Sequence, residues 1–462
     1  MTVFNKFVQS LFPGEAIILG RHDGLVDVEK KLILQQVIEH AGNMNADFKS
    51  NPSIDKRKYS FIKDWCNQKL STHDVDIRLS QLMKLEENIL LDRIEPNQEK
   101  EFFHILKVLK PDDYNFVKYY EISRLFRHYL QIRFRRKETD LVVDFLEKYR
   151  YEYEVGRQLN DKIHQATKDI LHYYSKKKDF NTEWTDMLSS IFFNESNDGA
   201  TRILAWIRLV FIANSSNDYS FLKPHFELFE AKLADCTFYS RRIMANFYSQ
   251  FLLFYANMHD FDKAVYYGKL SIKLKNNDYL YYSNNLVAVL LKNKKAAEGL
   301  EHLKYTSSLA LDSTNFHNKL THVSYYIRAL TDIGKPSQAD SRGFVFYNVH
   351  KKEIFHYRWH LFFTAWFRAM IFSGKFNNII KLFRSYPRLI KDETDQIYNQ
   401  GTFPILAFIL EIALYKAGNH DISICKKNIA ALHQRTNSTL SDDAIEMGKV
   451  ALGKEWEVCL PK

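Results

Sequence analysis

The chain has 462 residues, of which 46% are hydrophobic and 26% charged, and it carries a formal net charge of +10. That composition excludes a disordered or collagen-like chain and leaves enough apolar material for a large core or a long repeat array. Glycine (15) and proline (9) are scarce, which argues against a sandwich of many tight turns and for helices joined by short ones.

At the start, Phe4, Phe7, Val8, Leu11 and Phe12 have the spacing of a short amphipathic helix, expected to end at Pro13-Gly14. A second helix is expected over residues 26–41, with Val26, Ile33, Val37 and Ile38 on its apolar side. Residues 42–58 are polar, contain Asn51-Pro52 and read as a loop. Helical periodicity then becomes steady. Phe61, Ile62, Trp65 and Leu70 form one face, and Leu79, Leu82, Leu85, Ile89 and Leu90 form another after a break at Ser71-Thr72. Asp74 is placed to cap the helix that starts at Val75. Pro96 suits the first turn of the next helix, where a missing N–H costs nothing. Asp112 is expected to cap a longer helix through Phe116, Tyr120, Leu125, Tyr129 and Ile132.

A turn then recurs. Asp218-Tyr219, Asp260-Phe261, Gly334-Lys335, Gly374-Lys375-Phe376 and Gly418-Asn419 each interrupt one apolar helical run and open another. Thr139-Asp140 and Asp179-Phe180 read as earlier copies, and a shorter one centres on Asn293-Lys294-Lys295-Ala296. A period of about 40 residues marks a stack of helix pairs, each burying its apolar face against the next. Gly334 and Gly374 have the place of helix C-caps with positive φ. The clearest copy spans residues 241–276. Its first helix carries Phe247, Phe251, Phe254 and Tyr255, its turn ends on the capping Asp260, and its second helix turns Phe261, Ala264, Val265, Gly268 and Ile272 inward.

This unit resembles the tetratricopeptide repeat (TPR). Tyr248, Leu252, Tyr255, Phe261 and Ala264 fall on that family's large, aromatic and small positions, and Ser271 falls on its late small position. Asn276 stands where the family closes with proline. The resemblance covers residues 112–435 and implies an all-α fold, a right-handed α-solenoid of antiparallel helix pairs. In that reading residues 1–111 form a divergent helical N-terminal cap, 112–435 the TPR-like array, and 436–462 a C-terminal capping helix and tail. It also implies a concave groove, lined by the first helices, that binds a segment of a partner protein.

Arg328 and Arg368 each lie six residues before their glycine, so they occupy the same place in consecutive first helices. Ser324 and Thr364 lie one turn earlier on that face. Two neighbouring guanidinium groups are suited to grip a carboxylate or phosphate through paired N–H donors. These four residues are the expected partner-binding positions, and an acidic peptide or tail is the expected ligand.

Other clusters read as structural. His350, His356 and His360 lack the glutamate of a zinc-protease motif, although the last two have i,i+4 spacing. His73, Asp74 and Asp76 are explained by helix capping. Gly14, Gly20 and Gly24 precede no Gly-Lys-Ser/Thr. The basic runs Arg133-Phe134-Arg135-Arg136-Lys137 and Lys176-Lys177-Lys178 lie at helix ends, where cations complement the dipole. The tyrosine pairs Tyr173-Tyr174, Tyr266-Tyr267, Tyr281-Tyr282 and Tyr325-Tyr326 have the spacing of packing residues. Cys66, Cys236, Cys425 and Cys459 form no Cys-x-x-Cys pair, which suits a reducing compartment. Asn5, Lys6, Gln9 and Ser10 interrupt any leader-like apolar run, and no stretch has the length of a membrane span. The expectation is a cytoplasmic, non-enzymatic interaction scaffold with no cofactor, no metal and no membrane partner. The alternative rests on charge. Residues 201–350 hold 18 Lys+Arg against 12 Asp+Glu, and residues 351–462 hold 16 against 11, whereas residues 1–200 are balanced. A basic C-terminal half of this kind also suits a nucleic-acid-binding or ligand-sensing regulator.

Overall fold

The computed structural model describes residues 2–22, 24–41, 48–176, 183–216, 218–397, 403–436 and 440–459. Among them every regular element is helical and no strand occurs. The expected turn at Asp179-Phe180 and the run Lys177-Lys178 lie outside the described residues. The chain divides into two compact units, one of Met1–Asp260 with Tyr266–Asn276, the other of Phe261–Val265 with Asn277–Lys462. The boundary expected at residue 111 thus falls inside the first unit, and the helix Phe261–Ser271 is divided between the two.

Five of the recurring turns, and two further ones at Asp92 and Phe134, share one backbone motif. Asp92, Phe134, His259, Lys294, Gly334, Gly374 and Gly418 all have positive φ, between 54° and 79°. Each donates its N–H to the carbonyl three residues back, and the next residue donates to the carbonyl five back. Gly334 reaches Thr331 at 3.0 Å and Lys335 reaches Leu330 at 2.8 Å. Lys294 and Lys295 do the same to Leu291 (3.1 Å) and Leu290 (2.8 Å), and Phe134 and Arg135 to Gln131 (3.1 Å) and Leu130 (3.2 Å). This is the Schellman closure of a helix C-terminus. Thr139-Asp140, expected to be a turn, lies inside the helix Arg136–Lys148; the closure is at Phe134, where no glycine marks it.

In the first unit, Pro13 does not end a helix. It opens the helix Pro13–Gly20, following Thr2–Ser10, because its missing N–H falls on a position without an intrahelical partner. The second expected helix runs Val28–Ala41, and Val26 is exposed. Ser71 and Thr72 continue the helix Lys56–His73, and the break falls at Asp74, whose carboxylate accepts the N–H groups of Asp76 (2.9 Å) and Ile77 (3.2 Å). Asp112 caps nothing; the helix Phe116–Ile132 begins after Asn115, whose N–H is held by Asp113 at 3.0 Å.

A buried carboxylate ties the N-terminal helices to the 241–257 helix. Glu15 is fully buried and accepts the N–H of Phe12 (2.8 Å) and the hydroxyl of Tyr239 (2.9 Å), with Arg241 Nε 3.0 Å from the same oxygen as Tyr239. Burial pushes its carboxyl up, against the pull of Arg241. The phenylalanine content is spent nearby. Phe192, Trp206, Phe226, Phe229, Phe238, Phe247, Phe251 and Phe254 form a chain of ring contacts, such as Phe226–Phe251 at 4.4 Å and Phe229–Phe247 at 4.7 Å.

In the second unit, helix pairs follow one another: Tyr279–Lys292 with Ala296–Tyr305, Phe316–Asp332 with Pro336–Ile354, Trp359–Phe372 with Phe376–Ser385, and Ile405–Lys416 with Ile422–Thr436. One core runs through them, including Leu320, Ile327, Phe362, Trp366, Ile379, Leu406, Ile412 and Met447. Cations at the turns reach carboxylates of the preceding pair. Lys375 lies 2.6 Å from Asp340, which also accepts Trp366 Nε1–H at 2.9 Å, and Lys295 lies 3.4 Å from Asp262. Gly343 lets the Trp366 ring lie against its backbone. The helix Asp442–Leu452 packs its Ala444, Met447, Ala451 and Leu452 inward, against the 359–372 and 405–416 helices.

Candidate partner-binding site

Arg328 stands on the helix Phe316–Asp332 and Arg368 on Trp359–Phe372, and each helix is closed by a Schellman glycine six residues later. Equal offsets from equivalent turns put the two guanidinium groups side by side. Asp332 joins them, with one oxygen 3.5 Å from Arg328 Nε and the other 3.0 Å from Arg368 Nη2.

The remaining partners come from the helix Asp442–Leu452. Arg328 makes a two-pronged pair with both oxygens of Asp443. Arg368 Nη2 lies 2.7 Å from Glu446 Oε2, and its Nη1 lies 3.8 Å from Asp443. Asp443 and Glu446, at i,i+3, share one helix face. Arg368 is 2% exposed and its guanidinium lies 4.8 Å from the centre of the Phe372 ring. Burial works against charge on Arg328, and the carboxylates of Asp443 and Asp332 more than offset it, so its affinity for the proton rises.

This corrects the expectation of an open basic face. Two arginines meet three carboxylates here, two of them supplied by the chain's own C-terminal helix. Ser324 is fully buried and its hydroxyl donates to Leu320 O at 2.8 Å, a core position rather than a surface one. Thr364 is half-buried, and its hydroxyl oxygen is buried without a hydrogen-bond partner. Asp332, Asp443 and Glu446 were not singled out from the sequence. The signals were there: Asp332 is i+4 from Arg328, and Asp443 and Glu446 form an acidic pair at the start of the last long amphipathic run.

The other clusters are structural. His356 lies in the turn between the helices Pro336–Ile354 and Trp359–Phe372, so it shares no helix face with His360. His360 Nε2 is 2.8 Å from Glu393, a fully buried carboxylate that also accepts the N–H groups of Leu406 (2.8 Å) and Ala407 (2.9 Å). Asp74 and Asp76 hold the 241–257 helix: Asp76 takes a two-pronged pair from Arg242, 2.8 Å at each contact, and the Ser240 hydroxyl at 2.8 Å. Arg133 and Arg135 reach Asp92 (2.8 Å) and Glu99 (2.7 Å). Tyr282 is buried, and Tyr325 and Tyr326 pack against the core. No group of three or more His, Cys, Asp or Glu residues among the described ones has the arrangement of a metal site. No helix among them is long and apolar enough to cross a membrane.

No protein-family model, no curated protein and no solved structure matches this chain.

Proposed function

We propose that this protein is a non-enzymatic, cytoplasmic interaction scaffold. Its helix pairs stack as a TPR-like right-handed solenoid and receive a segment of a partner protein on the face made by the first helices. The observation that carries this reading is the seating of the acidic helix Asp442–Leu452 on Arg328 and Arg368. First helices of consecutive pairs converge there on carboxylates at i,i+3 spacing, which is the chemistry a partner's acidic helix requires. The recurrence of the same Schellman closure between paired helices supports it as well.

The experiment is a pull-down from the native source, read by quantitative mass spectrometry. Three forms are compared: wild type, Arg328→Gln/Arg368→Gln, and Asp443→Asn/Glu446→Gln. The reading expects partners that are lost from the arginine variant and enriched on the carboxylate variant, in which the arginines are freed. Partner recovery equal in all three forms overturns the arginine pair as an anchor, and recovery of no partner at all overturns the scaffold.

A further inference from the structure

A second arginine cluster, in the first unit, is built differently. Arg124 and Arg127 lie at i,i+3 on the helix Phe116–Ile132, and Arg150, Glu154 and Arg157 follow one face of the helix Arg150–Lys176. The two faces converge on one cavity of about 440 Å³, which all five residues and Glu147 line. That volume is in the range of small-ligand sites, about 300–1,000 Å³. The wall behind them is aromatic. Tyr120 and Tyr153, one from each helix, stack with ring centres 4.1 Å apart and planes at 13°, and the Tyr120 hydroxyl donates to Leu146 O at 2.9 Å.

Charge in this cavity is not balanced. Arg150 is spoken for, with Nε 3.0 Å from Glu154. Among the described residues, Arg124, Arg127 and Arg157 form no ion pair with any carboxylate. Arg124 Nη1 is 3.5 Å from the Tyr153 hydroxyl, and Arg157 lies 6.0 Å from the centre of that ring. Arg127 Nε is buried with no hydrogen-bond partner. Many of this chain's other arginines are paired: Arg133 with Asp92, Arg135 with Glu99, Arg242 with Asp76, Arg328 with Asp443. Four arginines against two glutamates leave the cavity with an excess of two positive charges.

We propose that this cavity is a binding site for a small phosphate-bearing anion. Several guanidinium groups that approach from two helices are best satisfied by a tetrahedral anion with many acceptor oxygens. Arg124, Arg127 and Arg157 bring N–H donors to this space without a carboxylate partner, and a bound anion would supply the acceptors. The cavity is larger than one phosphoryl group needs, which selects an oligophosphate or a phosphate ester. It is a pocket and not a stripe along the surface, which disfavours a nucleic-acid backbone. The inference is independent of the scaffold reading above.

The test is calorimetric titration of the full chain with sodium triphosphate, pyrophosphate and orthophosphate, at two salt concentrations. The expected result is saturable binding of one triphosphate per chain, tighter than orthophosphate and weakened by salt. Arg124→Gln and Arg157→Gln, both at exposed positions, are each expected to weaken it at least about ten-fold, or about 1.4 kcal/mol. Glu147→Gln is expected to tighten it, because a repulsive charge is removed. Arg388→Gln, an exposed arginine outside the cavity, is expected to change nothing. Circular dichroism of each variant confirms that it is folded. Absence of saturable heat with all three anions overturns the proposal. So does an equal loss in Arg388→Gln, or triphosphate binding that Arg124→Gln and Arg157→Gln both leave unchanged.

Discussion

Arg328 and Arg368 divide one carboxylate between them: Asp332 lies 3.5 Å from the first and 3.0 Å from the second. Two cations held this close repel each other unless carboxylates separate them, so Asp332, Asp443 and Glu446 act as one unit with the arginines. The cluster fixes the helix Asp442–Leu452 on the second unit by charge as well as by its apolar face. Removing Arg368 leaves Glu446 without its cation and Asp332 with Arg328 alone, and Arg368→Met is expected to cost roughly 2–4 kcal/mol in denaturant unfolding. A double-mutant cycle of Arg328→Gln with Asp443→Asn is expected to show a coupling of about 1–3 kcal/mol. Additive effects would mean that the two-pronged pair contributes nothing.

The Schellman turns make a backbone prediction that side-chain contacts do not confuse. A Cβ built on Gly334, Gly374 or Gly418 meets no atom within 4 Å. Gly334→Ala is therefore expected to lose about 1 kcal/mol through positive φ alone. Lys294, at φ 57°, already bears that strain. Lys294→Gly is expected to gain several tenths of a kcal/mol, with the higher entropy of glycine in the unfolded chain setting the limit. Thermal unfolding midpoints that move in opposite directions for the two variants check this.

Gly343 tests packing. A Cβ there would lie 2.3 Å from Trp366 Cδ1, and the indole cannot retreat without giving up its hydrogen bonds to Asp340. Gly343→Ala is expected to cost about 1–3 kcal/mol and to alter near-ultraviolet circular dichroism, although alanine is the better helix former. Unchanged stability and an unchanged tryptophan signal would contradict it.

His322 predicts a loss of stability in acid. It is buried, with Nε2 3.2 Å from Leu303 O and 3.1 Å from the Thr306 hydroxyl oxygen. Burial pushes its affinity for protons down to about 4. The unfolded chain protonates this group near pH 6.5, whereas the folded chain does so only near 4, so between those values the unfolded state holds more protons. Stability from this residue is complete above about pH 6.5 and falls as pH drops toward 4, by roughly 3 kcal/mol in all. Measured against the wild type over that range, His322→Gln is expected to show a shallower decline.

Much of the fold is legible from local rules, because helix periodicity, proline at N1 and a capping aspartate act over a few residues. Glycine made the turns at 334, 374 and 418 visible. The same closure at Asp92 and Phe134 was not, because its hydrogen bonds are made by the backbone and accept any residue that tolerates the strain. Pro13 is ambiguous in sequence for a related reason: a proline that ends one helix and one that opens the next look alike until the N–H groups around it find partners.

The chain alone determined that Arg328 and Arg368 are neighbours, since equal spacing from equivalent turns places them on matching faces. Only the tertiary structure decided what they touch. Asp443 lies 115 residues from Arg328, and Glu446 lies 78 from Arg368. No local pattern specifies which acidic helix the packed core brings onto a basic pair. The arginine cavity of the first unit follows the same logic in reverse. Its arginines are placed by helix spacing, and the packing of two helices left three of them facing a common space without forming an ion pair among the described residues.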